Sequence, residues 1–247
     1  MDSIFDFLFN EKKYYTLIGV DIIEGLDDNF YIVDVNGLIG LRRITQHLDE
    51  FNKKLNELFN EDVYFECSAS INNWDKVKIA SGNKESKIWV QNLGFSYENK
   101  LSWRKKFNLP SPKIENEIVE HTNPDYPKYL LKPEFNFKSR GIELYNNLTN
   151  KFPKNGHFLE EFIPSKLIDN HCYNIRVIMI VNEDNHYPLL YTLRKCPNPI
   201  IKNIKSDILT EEESLSYISN RSNQNVDYEL YDNDKLKKFI SDLKITV

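Results

Sequence analysis

The sequence predicts an α+β protein rather than a doubly wound α/β one, because strand-like runs outnumber the strand–helix–strand units that a parallel sheet requires. Two apolar runs near the start, Tyr15 to Ile23 and Phe30 to Val35, flank a polar turn from Glu24 to Asn29. A second pair, Ile175 to Val181 and Leu189 to Lys195, flanks the polar turn Asn182 to Asn185. Both pairs read as antiparallel hairpins. Helical periodicity is confined to a few separated stretches, and no internal repeat is visible.

Taken in order, residues 2–10 read as a short amphipathic helix, and the first hairpin follows. From Leu41 to Phe59, apolar residues at Leu41, Ile44, Leu48, Phe51, Leu55, Leu58 and Phe59 keep a helical period with charge on the other face. Strands are expected at Val63 to Cys67 and Lys87 to Gln91. A helix over Asn99 to Asn108 is stopped by Leu109-Pro110-Ser111-Pro112. A strand at Tyr129 to Lys132 leads into a loop, Pro133 to Arg140, and another begins at Gly141. Phe158 to Ile163 is a further strand, and Asn233 to Leu243 closes the chain as a helix.

Composition narrows the function classes. A chain of 247 residues with 40% apolar content can bury a core of one medium domain or two coupled lobes. The net charge of -5 excludes a dominant nucleic-acid partner, which would call for a basic excess. Cys67, Cys172 and Cys196 are odd in number and carry no CxxC spacing, which supports neither a disulfide framework nor a zinc site; the expected compartment is a reducing cytoplasm. The N-terminus is acidic and its apolar run short, unlike a signal peptide, and no run is long enough to span a bilayer, so no membrane partner is expected.

Four constellations carry possible chemistry. In the first hairpin, Asp21 faces the strand bearing Asp34-Val35-Asn36, and alternation places Asp34 and Asn36 on one face. Two carboxylates and an amide oxygen suit a hard cation such as Mg2+, although the same residues also fit a solvated sheet edge with an Asn-Gly turn. Lys132-Pro133 followed by Asn136-Phe137-Lys138-Ser139-Arg140-Gly141 could present an ammonium and backbone N–H groups to phosphates, or form an ordinary solvated loop. It fits neither GxxxxGK[ST] nor GxGxxG. Glu160 and Glu161 alternate on an apolar strand, so one faces inward, whether for a ligand or in a purely structural strand. Arg176 lies in the apolar strand Asn174 to Val181, with Arg194 on the next, and a buried guanidinium calls for a carboxylate from the protein or a ligand. No Ser/His/Asp set is visible, and Cys172 beside His171 reads as incidental.

Together these segments resemble the ATP-grasp superfamily, in circularly permuted order. The usual order runs from a "DKL" helix and a "gi-P-P-T" strand to a strand ending in Lys, a glycine-containing loop and a "QEYI" hinge. A "DIR" strand, an Arg-bearing strand, "GVD" and "EVN" follow. Asn99-Lys100-Leu101 with Leu109-Pro110-Ser111-Pro112-Lys113 is similar to the first part. Lys132-Pro133 and Ser139-Arg140-Gly141-Ile142 resemble the phosphate-gripping strand and loop, and Glu160-Glu161-Phe162-Ile163 the adenine hinge. Asn174-Ile175-Arg176 and Arg194 resemble the next two strands. The ending is present as Gly19-Val20-Asp21 and Asp34-Val35-Asn36, but at the front. Four positions depart from the pattern: Asp34 stands for Glu, Asn174 for Asp, and Phe135 and Phe137 for small residues.

The resemblance implies two α+β lobes with nucleotide between them. Residues 1–40 would be a displaced end of the large lobe, 41–95 a reduced bridging segment, 96–157 the small lobe and 158–247 the rest of the large lobe. It implies ATP held by Lys100, Lys132, Ser139, Arg140, Gly141, Glu160, Glu161, Phe162, Ile163 and Asn174. Mg2+ would sit on Asp21, Asp34 and Asn36, with Arg176 and Arg194 as catalytic cations. The implied reaction joins a small-molecule or peptide carboxylate to an amine through an acylphosphate. Ser139-Arg140-Gly141-Ile142 and Leu167-Ile168-Asp169 also resemble tubulin–tyrosine ligases, which keeps protein tails among the expected substrates. A small-molecule kinase and a nucleotide-binding protein without catalysis are the alternatives.

Overall fold

A computed structural model describes residues 13–36, 44, 46–66, 86–92, 100–101, 103–104, 109–135, 141–148, 155–219 and 228–245. The expected helix over 2–10, most of that over 99–108, Cys67, and the loop residues Ser139 and Arg140 lie outside the described residues. Strands dominate. They are β1 (Lys13–Glu24), β2 (Phe30–Asn36), β3 (Val63–Glu66), β4 (Ile88–Asn92), β5 (Tyr129–Pro133), β6 (Glu143–Tyr145), β7 (His157–Glu161), β8 (Leu167–Ile168), β9 (His171–Val181), β10 (His186–Lys195) and β11 (Glu229–Leu230). The helices are α1 (Leu48–Leu58), α2 (Glu211–Ser214) and α3 (Asp234–Asp242).

Eight strands form one curled, mixed sheet in the order β11-β10-β9-β1-β4-β3, with β2 also paired to β1 and β8 to β9. The other three form a small antiparallel sheet, β6-β5-β7. β1 organises the large sheet. One edge runs antiparallel to β9, from Thr16 opposite Val181 to Ile22 opposite Ile175. The other edge is divided: Lys13 to Leu17 run parallel to β4, and Gly19 to Glu24 run antiparallel to β2. At the hairpin tip a Cβ on Gly25 would stand 2.4 Å from Asp27 Oδ1, so a larger residue there would have to turn the Asp27 carboxylate away from Tyr31 and Asn29.

Alternation sorts the sheet into two apolar faces. Ile18, Val20 and Ile22 join Ile175, Val177 and Met179 beneath Leu236 and Ile240 of α3. The rings of Phe30 and Phe239, 5.3 Å apart, extend that contact to β2. Tyr15 and Leu17 join Ile178, Ile180 and Leu190 beneath Phe51 and Leu55 of α1. α3 is held at its start by Asn233, whose side chain accepts a hydrogen bond from Leu236 N at 3.0 Å.

The structure differs from the sequence expectation in several places. Of the helix predicted from Leu41, residues 41–43 and 45 lie outside the described residues; the described part is interrupted at His47, which sits at φ -128°, ψ 40°, outside the helical region, and runs on from Leu48. The strand expected at Gly141 starts at Glu143, and Gly141 adopts φ +71°. The strand expected to run to Ile163 ends at Glu161 and belongs to the small sheet. β3 and β4, within the expected bridging segment, extend the large sheet. β8, β11 and α2 were not anticipated. Among the described residues, no helix is long and apolar enough to cross a membrane.

Candidate functional site

The face of the large sheet that carries α1 changes character along its strands. On β1, Tyr15 and Leu17 give way to Gly19 and Asp21; on β9, Ile180 and Ile178 give way to Arg176 and Asn174. On β10, Leu190 is followed on the same face by Thr192 and Arg194. β2 adds Asp34 opposite Asp21 and Asn36 opposite Gly19. One face is therefore oily under α1 and charged beyond it.

Arg176 and Asp21 face each other across β9 and β1 and are both buried. The guanidinium donates through Nε to Asp21 Oδ1 at 2.6 Å and through Nη2 to Oδ2 at 2.5 Å. This is the fork-on-carboxylate geometry that makes Arg suited to such sites. Burial acts to lower the Arg176 pKa, but Asp21 outweighs it and the net shift is upward. Asn36 Nδ2 donates to Asp21 Oδ2 at 3.1 Å, and Ser219 Oγ to Asn174 Oδ1 at 2.8 Å. Arg194, in register with Asn174, lies with its guanidinium 5.7 Å from the centre of the Tyr228 ring, and burial lowers its pKa.

The small sheet contributes from the other side. Lys132, on β5, donates to the Val33 carbonyl of β2 at 3.2 Å, and its Nζ lies 2.5 Å from Glu160 Oε1 of β7. The other oxygen of Glu160 accepts from Arg104 Nη2, while Arg104 Nη1 donates to the Pro112 carbonyl at 2.9 Å. Lys100 Nζ lies 2.7 Å from Asp34 Oδ2. Burial first, then the like charges of Arg104 and Lys100, press the Lys132 ammonium well below its ordinary pKa; burial lowers Arg104 to about 10. Among the described residues, the cations Lys100, Arg104, Lys132, Arg176 and Arg194 gather beside the carboxylates Asp21, Asp34 and Glu160, and pairing is what makes such burial of charge tolerable.

Most of the sequence-predicted residues that are described fall in or beside this region. Glu160 is the inward acid of its pair, and its two oxygens are spent on Lys132 and Arg104. Glu161 is half-buried and accepts from the Lys113 backbone N–H at 2.8 Å. Phe162 and Ile163 are buried, with Phe162 packed edge-on to Tyr217, and Gly141 is an exposed turn residue. Asp34 and Asn36 fit a hard cation, being an anionic and a neutral oxygen donor side by side on β2 and only partly buried. Asp21, buried with both oxygens accepting from the Arg176 guanidinium, fits the role of direct ligand less well than the more exposed Asp34, whose oxygens accept from Val35 N and Lys100 Nζ.

Sequence reasoning missed Arg104, Ser219 and Tyr228. Arg104 carried a usable signal: it follows Leu101 by three residues, which on a helix turns it toward the apolar side, the same anomaly that marked Arg176. The Cys172 and His171 neighbours do not form a nucleophilic pair. Burial pushes the Cys172 thiol up to about 11, and His171 Nδ1 lies 2.8 Å from the Cys196 carbonyl oxygen. Among the described residues, no group of three or more His, Cys, Asp or Glu side chains is placed to hold a metal ion. Comparison with known protein families and with curated proteins gives no match to this chain.

Proposed function

We propose that this chain is an ATP- and Mg2+-dependent carboxylate–amine ligase working through an acylphosphate. The observation that carries the reading is the charged end of the sheet face. There, segments far apart in sequence bring five cationic side chains beside a pair of hard oxygen donors. Phosphoryl transfer asks mainly for positioning and charge neutralisation, which this set of side chains can supply. The cyclic order of motifs supports it too, since α3 packs against the β1–β2 hairpin that the usual, unpermuted ATP-grasp order would place directly after it.

In this reading ATP lies between the two sheets, with Lys132 and Lys100 neutralising its phosphates and the backbone around Glu161 to Ile163 facing the adenine. Asp34 and Asn36 would hold Mg2+, which when bound supplies charge neutralisation at the β- and γ-phosphates. Asp21 orients Arg176, and Arg176 and Arg194 steady the phosphoryl group in flight. A substrate carboxylate oxygen attacks the γ-phosphorus and ADP leaves. An amine then attacks the acyl carbon, the C–O bond to phosphate breaks, and the amine loses its proton, giving an amide and inorganic phosphate.

Incubation with ATP, Mg2+ and pools of acids and amines tests this. ADP and phosphate released only when both an acid and an amine are present is the expected result. Phosphate retained on a product would mean a kinase instead. Failure of the folded protein to bind ATP by calorimetry would sink both. Nucleotide binding without turnover has one observation in its favour: Asp34, one methylene shorter than the usual Glu, is already engaged by Lys100.

A further inference from the structure

We infer that Arg104 is a positioning residue, acting through Glu160 to fix the Lys132 ammonium where the phosphates of a bound nucleotide would lie; the inference rests on the ATP reading above. The geometry is a chain of contacts with little freedom. Lys132 Nζ meets Glu160 Oε1 at 2.5 Å and the Val33 carbonyl at 3.2 Å, which suspends it between the small sheet and β2. Glu160 cannot hold that place alone, since its side chain crosses from β7 and can turn about its own torsions. Arg104 takes the second oxygen of Glu160 and is itself anchored by the Pro112 carbonyl. Its guanidinium also lies 5.1 Å from the Trp103 ring centre and 5.6 Å from that of Phe158. The side chains of Glu160, Lys132 and Arg104 are exposed by only 2%, 6% and 9%, so rearrangement would strand a charge away from water.

Arg104 is therefore expected to influence phosphate binding without touching the phosphate. A residue that acts only through another has no effect once that other is gone, which a double-mutant cycle detects. The experiment measures Mg·ATP affinity by calorimetry for the wild type, Arg104→Met, Lys132→Met and the double variant. Arg104→Met and Lys132→Met should each weaken binding about tenfold or more, and the double should be no weaker than Lys132→Met within about twofold. Each single variant leaves Glu160 one cation. If the double, which leaves none, does not fold, the same comparison is made with Glu160→Gln added to both Lys132→Met and the double.

Unchanged affinity in Arg104→Met would overturn the proposal. So would an Arg104→Met effect of the same size with and without Lys132, which would mark a general structural role. A wild type that does not bind Mg·ATP would instead remove the ATP reading, and this inference with it.

Discussion

Asp21→Asn tests the centre of the charged face. The substitution keeps the side chain's shape but removes the charge that answers Arg176. Arg176 and Asp21 are exposed by 9% and 4%, and their two contacts measure 2.6 and 2.5 Å. Both side chains are largely shut off from solvent, and breaking a buried pair from one side costs about 3–5 kcal/mol. For a chain of this size each kcal/mol moves the melting temperature by about 2–4 °C, so the expected drop is roughly 6–20 °C. The variant Asp21→Asn/Arg176→Gln leaves two neutral side chains able to bond each other, and should recover most of the loss.

Thermal and urea unfolding followed by far-ultraviolet circular dichroism reads both variants, with the urea slope showing whether the transition stays comparable. An Asp21→Asn protein melting within 2 °C of wild type, by about the resolution of such scans, would refute the reasoning. So would a double variant no more stable than the single, since the cost would then lie in lost packing rather than in a stranded charge.

Three further outcomes follow from named contacts. Asp34→Ala is expected to abolish Mg2+-dependent turnover of ATP while leaving the circular dichroism spectrum intact, because Asp34 is only partly buried; full activity would contradict its assignment. Glu24 is buried, which acts to raise its pKa, but hydrogen bonds from Lys166, Tyr173 and Tyr231 outweigh this and hold it below its ordinary 4.5. Its stabilising contribution is thus present above pH 4.5 and lost as pH falls through the lowered value, and Glu24→Gln should flatten the acid side of a melting-temperature profile against pH. Asn233→Ala removes the cap of α3 and should cost about 1 kcal/mol, measured by urea unfolding.

The sequence reading reached the elements that have a period to display. β1, β2, β9 and β10 are long enough for apolar runs and polar turns to mark them, and the helix expected over Asn233 to Leu243 is bounded within a residue of α3. Two-residue strands such as β8 and β11 have no period, and only their partners define them. The division of β1 between β4 and β2 was hidden for another reason: it is a matter of register between segments distant in sequence. The break at His47 lies inside an unbroken apolar period, so periodicity alone ran through it.

The site was legible to the extent that burial makes charge conspicuous. An Arg in the apolar strand β9 demanded a carboxylate, and alternation in Glu160-Glu161 demanded one inward acid; both demands are met. What alternation could not supply was the identity of the partners. Asp21 answers Arg176 because β1 and β9 are adjacent in one register, and Glu160 answers Arg104 across a separation of 56 residues. These pairings also alter the weight of individual residues. Asp21 was expected on the metal and is found holding an arginine, while Glu160, expected near the nucleotide, is found holding two cations. In the proposed reading, a metal would therefore rest more on Asp34 and Asn36, which are only partly buried on β2. There, Lys100 is the cation that any metal ion would have to displace from Asp34.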